Sequence, residues 1–253
     1  MPLHKLKLEI RKLANPKKAK ILARFSKTGK GQYGEGDVFL GIMVPNQRQM
    51  VKQYWRDLTL ADVDVLLKSK FHEERLIALL ILVKMFGSFC HPELVSGSKN
   101  GFRPPRADGM TAKKIYNFYI SHTKHINNWD LVDLSAPNIV GEYLIDKNRA
   151  ILFKLAKSKS LWERRIAILA TFAFIKNHRS KDALAIAKML LTDKHDLIHK
   201  AVGWMLREIG KRCSEKTLTD FLDDNALTMP RTALRYAIER LPEKKRLHYL
   251  HLK

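Results

Sequence analysis

"SKSLWERRIAILATFAFI", residues 158–175, opens with a polar turn, passes through charged residues and runs into an apolar stretch containing small side chains. The same plan recurs at "SKFHEERLIALLILVKMF" (69–86) and "DKHDLIHKAVGWMLREIG" (193–210). Arg165 and Lys200 occupy matching places 35 positions apart, and Arg231 opens the next helix 31 positions further on. A period in the mid-thirties built from helix pairs is the pattern of an α-solenoid. Each pair carries more apolar surface than it can shield by itself, so neighbours stack. Residues that recur once per repeat then line one inner face. The expected fold is all-α, an α-solenoid, with basic residues along that face.

Around these segments helical periodicity dominates, and strand-like alternation is nearly absent. Asn15-Pro16 has the form of a helix start, with Asn as N-cap and Pro in the first helical position. Two stretches interrupt the pattern: the glycine-rich residues 26–37, and residues 87–110, rich in Gly, Ser and Pro and read as a loop insertion. The chain of 253 residues carries 47 Lys and Arg against 25 Asp and Glu, a formal charge of +22. Such an excess calls for a polyanionic partner, nucleic acid first. The two cysteines, Cys90 and Cys213, exclude a disulfide framework and fit a reducing compartment. The amino terminus places Leu3, Leu6, Ile10 and Leu13 at helical spacing and lacks the form of a signal peptide. The longest aliphatic run, 76–83, is too short for a bilayer. A soluble, cytoplasmic protein without a membrane partner is expected.

Some motifs resemble chemistry without its context. "GKGQYG" (29–34) matches G-x-G-x-x-G, but a helix precedes it where the dinucleotide fingerprint needs a strand. "HDLIH" (195–199) spaces two histidines four apart, yet has Asp196 where a zincin has Glu and no evident third ligand. His195 is expected in the polar turn and His199 on an exposed helix face; no metal site is expected. The stronger signals are aromatic. In "NNWDLVD" (127–133), Trp129 and Asp133 are four apart and share a helix face, with Asp130 pointing elsewhere. Trp162 and Arg165 are three apart, and Lys200, Trp204 and Arg207 lie on one stripe. Cations beside an indole suit a sugar-phosphate surface. They equally suit a core tryptophan with snorkelling neighbours.

"FSKTGKGQYGEGDVFLGIMVPNQR" (25–48), "NNWDLVD" (127–133), "LWERRIAIL" (161–169) and "HKAVGWMLRE" (199–208) together resemble the AlkD-type DNA alkylation-repair family, in order over roughly residues 17–240. The resemblance implies one domain over 1–253, about six HEAT-like helical repeats in a curved superhelix with a basic concave groove that grips duplex DNA. It implies a monofunctional glycosylase with no metal or organic cofactor, acting on double-stranded DNA carrying N3- or N7-alkylated purines; a solenoid with capped ends can work as a monomer, which is the expected state. It implies Asp133 as the catalytic carboxylate, with Trp129, Trp204 and Arg165 contacting DNA around the lesion; Lys200 and Arg207 join them as candidate phosphate contacts on spacing. Phe25 and Met43 stand near positions where the best-known branch has tyrosine and glutamine, which bears on the lesion range. The alternative class is a non-catalytic repeat protein that docks DNA or RNA structures.

Overall fold

The computed structural model describes residues 1–90 and 109–252. Among them the secondary structure is helical apart from one isolated parallel bridge, Val38 to Phe71. The chain divides into two compact units, Met1–Ile139 and Val140–Lys253. Among the described residues no helix is long and apolar enough to cross a membrane.

The first unit begins with α1 (Pro2–Lys12), which buries Leu6 and Ile10 but leaves Leu13 exposed. Helix α2 (Pro16–Phe25) starts where Asn15-Pro16 places it, the Asn15 side chain accepting from the Lys18 N–H. Residues 26–37 follow as turns in which Lys27, Gly31 and Gly36 take positive φ. Since α2 precedes "GKGQYG", the strand–turn–helix scaffold of a dinucleotide site is not formed there. Next come α3 (Val44–Tyr54), α4 (Leu60–Leu67) under a Thr59/Asp62 capping box, α5 (His72–Cys90), α6 (Ala112–Ser121) and the short α7 (Trp129–Asp133). Helix α5 is the axis, with α3, α4, α6 and α7 all packed on it. Residues 76–82 of α5 are buried without interruption, as a helix apolar on every side requires. The expected insertion at 87–110 therefore starts late: 87–90 continue α5, and all but Gly109 and Met110 of the rest lies outside the described residues.

The second unit runs α8 (Ala150–Ala156), α9 (Leu161–Ala170), α10 (Phe172–Lys176), α11 (Lys181–Leu190), α12 (Asp196–Arg212), α13 (Glu215–Asn225), α14 (Arg231–Ile238) and α15 (Glu243–His251). Its axis is α12, which touches α9, α10, α11, α13 and α14. A Cβ on Gly203 would fall 2.4 Å from the Ala233 carbonyl oxygen, so only glycine lets α12 and α14 approach this closely.

The repeated plan has a repeated geometry. Ser69, Ser158 and Asp193 each use the side-chain oxygen to accept the N–H two residues on, at 3.1, 3.1 and 2.8 Å. Each also offers its carbonyl to the side chain six residues on: Arg75 at 2.9 Å, Arg164 at 3.0 Å and His199 at 2.5 Å. His199, expected on an exposed face, is thus half-buried and holds the turn that starts its own helix. His195 caps that helix, accepting from the Leu197 N–H.

Candidate functional site

Helix α7 is five residues long and cannot persist by propensity; its ends are fixed from outside. Asn128, fully buried, caps it by accepting from the Trp129 N–H at 2.8 Å and donates its amide to Asp37 at 3.0 Å. Trp129 and Asp133 line a cavity of about 340 Å³ within the first unit, with Phe25 of α2, Met43 and Gln47 of the α3 start, and Leu76 of α5. The Phe25 ring stands edge-on to Trp129, centroids 5.8 Å apart at 74°. Behind the helix, the buried Tyr119 hydroxyl bonds Ser135 at 2.9 Å, and Ser135 donates to the Leu131 carbonyl. Burial pushes the Tyr119 hydroxyl above its ordinary range; the Ser135 bond opposes this and the charge of Asp133 adds to it.

Asp130 does not point elsewhere, as the spacing suggests. It lines the same cavity and accepts from His72 Nε2 at 2.8 Å. His72 Nδ1 reaches Asp37 at 3.0 Å, so both ring nitrogens donate to carboxylates. Burial disfavours the imidazolium, but Asp130 and then Asp37 outweigh it and raise His72 to about 9. Asp37 also receives Arg75, Asn127 and Asn128; against the cost of burial, His72 and Arg75 hold its carboxyl below the usual range. Asp37, His72, Arg75 and Asp130 form a neutral quartet. Beside it Glu73 accepts three backbone N–H groups, Leu40 at 2.9 Å, Gly41 at 2.8 Å and Ile42 at 3.2 Å. Gly41 sits at φ 84°, and a Cβ there would strike the Asn15 carbonyl, so the loop is pinned from both sides. Glu74 takes Arg11 at 2.6 Å.

In the second unit, Lys200, Trp204 and Arg207 are half-buried on α12. Lys200 pairs with Asp196 at 2.6 Å, Arg207 pairs with Glu239, and the Trp204 ring lies 6.1 Å from Phe172. Arg165 is placed differently. It is 5% exposed and donates to the Leu197 carbonyl, tying α9 to the first turn of α12 rather than facing solvent. Matching sequence positions thus hold a buried tie at 165 and a partly exposed cation at 200.

A family model described as DNA alkylation repair enzyme matches residues 6–241. The chain belongs to that family. Among solved structures, a predicted DNA alkylation repair enzyme from Enterococcus faecalis aligns with a TM-score of 0.64 at 16% identity, covering 91% of this chain and 97% of that one. At that identity the likeness is one of fold. No curated protein matches the chain.

Within this DNA alkylation repair family member, sequence reasoning overlooked Asp37, His72, Glu73, Arg75 and Asp130. A signal was present. "HEER" (72–75) opens a helix apolar on all sides, and a helix buried all round carries its first turn inside with it. Four consecutive polar side chains there must be paired, because an unpaired buried charge is too costly to persist. Their partners come from segments far off in sequence, and no spacing rule identifies those.

Proposed function

We propose that the chain is a monofunctional DNA glycosylase that hydrolyses the N-glycosidic bond of cationic N3- and N7-alkylpurines in duplex DNA, such as 3-methyladenine and 7-methylguanine. One observation carries the reading: in a chain of +22, Asp133 and Trp129 line one apolar cavity on a helix whose orientation is fixed by buried polar groups. Alkylation at N3 or N7 leaves a positive charge on the purine, so the base departs neutral and needs no general acid. What requires stabilisation is the sugar, which gains oxocarbenium character as the bond breaks. A fixed carboxylate complements charge that develops in the transition state and orients the attacking water. Asp133 has that role, and the chemistry calls for no metal or organic cofactor. Trp129 packs against the sugar-phosphate.

The larger frame is a single domain of about six HEAT-like repeats, working as a monomer whose recurring cations hold duplex DNA. Trp204, Lys200 and Arg207 contact the backbone, phosphate displacing the Asp196 and Glu239 carboxylates. Arg165, in its observed position, supports that surface from below.

Base release from methylated duplex DNA tests the reading. Asp133→Asn is expected to lose most release while keeping DNA affinity; near-wild-type release would remove Asp133 from catalysis. Lys200→Ala and Arg207→Ala should each flatten the salt dependence of binding by about one unit of log–log slope. A wild-type protein that binds methylated duplex and frees no base would be the non-catalytic docking protein instead.

A further inference from the structure

Helix α7 carries both Trp129 and Asp133, and its first turn is fixed at two points that converge on one carboxylate. Asn128 caps the helix and donates to Asp37 at 3.0 Å. Asp130 is tied to the same Asp37 through the His72 ring, which reaches the two carboxylates at 2.8 and 3.0 Å. The second tie differs from the first because it depends on a proton. A neutral imidazole has one N–H and one lone pair, and only the imidazolium donates from both nitrogens. With one proton gone, one of the two carboxylates faces a lone pair.

Burial decides which carboxylate that is. The Asp37 side chain is 2% exposed and also holds Arg75 and Asn128, so it cannot turn away. The Asp130 side chain is 18% exposed and lines the cavity, where rotation takes it to water. The remaining N–H therefore stays with Asp37, and Asp130 lets go. The charged groups that face the ring are Asp130, from α7, and Asp37, from the segment before α3. On its own helix, Glu73 is turned to the backbone of residues 40–42 and Arg75 lies beyond Asp37. Of the elements that share the cavity lining with His72, α7 also brings Asp133, while α2 and α3 bring apolar and amide side chains. A buried ionic cluster rarely adds stability beyond apolar packing of equal volume. This one ties two distant segments together at fixed atoms.

We propose that His72 is a positioning residue for base release: bridging Asp130 and Asp37 in its protonated form, it holds α7, and with it Trp129 and Asp133, in the working orientation. Loss of the proton frees the first turn of α7 and slows the reaction. Asp130 and then Asp37 raise His72 to about 9, so the bridge is whole at neutral pH and is lost as pH rises through 9. The proposal rests on the glycosylase reading for the reaction it serves, and the orientation of α7 is measurable without that reaction.

The indole N–H signal of Trp129, in NMR spectra of the full chain with isotope-labelled tryptophan, reports that orientation; its loss in Trp129→Phe identifies it. From neutral pH upward the signal should move with a midpoint near 9. In His72→Gln, which takes up no proton, it should stay still. Single-turnover release from methylated duplex, with protein in excess and spontaneous loss subtracted at each pH, should decline with the same midpoint. At neutral pH His72→Gln should release base about ten- to a hundredfold more slowly, as for a misplaced reacting group, with DNA affinity nearly unchanged. Asp130→Asn keeps the shape and removes the charge, so its midpoint should fall below 9; it carries the test where His72→Gln does not fold. A Trp129 signal indifferent to pH, a midpoint that persists in His72→Gln, or release that stays level while the signal moves would each overturn the proposal. A Trp129 midpoint that requires His72, in a protein that frees no base at any pH, supports the hold of His72 on α7 and removes the glycosylase.

Discussion

Helices α5 and α9 begin with the same plan and use it differently. Both start from a serine whose side chain and carbonyl are held in the same way, by the N–H two residues on and the arginine six residues on. In α9 only Glu163 stays within the turn, accepting from Ser158, while Arg164 reaches Asp193 and Arg165 the Leu197 carbonyl, both at the next turn of the same kind. In α5 the corresponding stretch reaches across the first unit. His72 meets Asp130, Glu73 pins residues 40–42, Glu74 takes Arg11, and Arg75 takes Asp37. The repeated turn is scaffold. The residues between it and the apolar run are open to variation, and there α5 acquires the groups that orient α7 and its carboxylates.

The sharpest way to break this contrast is to remove one charge from each copy. Asp37→Ala leaves His72 with Asp130 alone and Arg75 with only the Ser69 carbonyl, and should cost about 3–5 kcal/mol, the range for breaking a buried ion pair. Arg164→Ala, which leaves Asp193 the His195 N–H as donor, should cost about 2 kcal/mol, as for hydrogen bonds to a charged group. Chemical denaturation of each variant measures both, and equal losses would make the two starts equivalent.

Alkaline titration comes next. His72 stands at about 9 in the folded protein against 6.5 ordinarily, so the stabilisation it gives is complete below pH 6.5 and is lost as pH rises through 9. The groups facing it are Asp130 and Asp37, with Arg75 on the far side of Asp37 and the Phe39 ring stacked on its face. Unfolding free energy should fall across that window by up to about 3 kcal/mol. His72→Gln should flatten the profile. The smallest effect is expected from the cap of α9. Ser160 accepts from the Glu163 N–H, and Ser160→Ala should cost about 1 kcal/mol without touching the pH profile.

Much of the fold was legible before any coordinates. Asn15-Pro16 marks a start because cap chemistry is local, and the three similar segments mark helix starts because each carries its own turn. Trp129 and Asp133 share a face because four residues make about one helical turn. The errors have equally specific causes. Spacing sends Asp130 away from Asp133 because neighbouring residues on a helix diverge, but α7 is one short turn at the cavity, and the buried His72 draws Asp130 inward. Arg165 and Lys200 match in sequence, yet Leu197 comes close enough to take the first and nothing buries the second as deeply. His199 read as surface because its acceptor is a backbone carbonyl, which sequence does not display.

The sequence by itself determined the helical class, the places where helices start and the basic character, since these follow from local periodicity, cap chemistry and composition; membership of a DNA repair family rests on the family model that matches residues 6–241. Tertiary structure alone decided which charges lie inside and what holds them: Asp37, His72 and Asp130 are 35 and 58 residues apart in chain order and within hydrogen-bonding distance in space. The reason is that burial and pairing depend on which surfaces meet, and the chain brings distant surfaces together only when the apolar sides of α5 are covered all round.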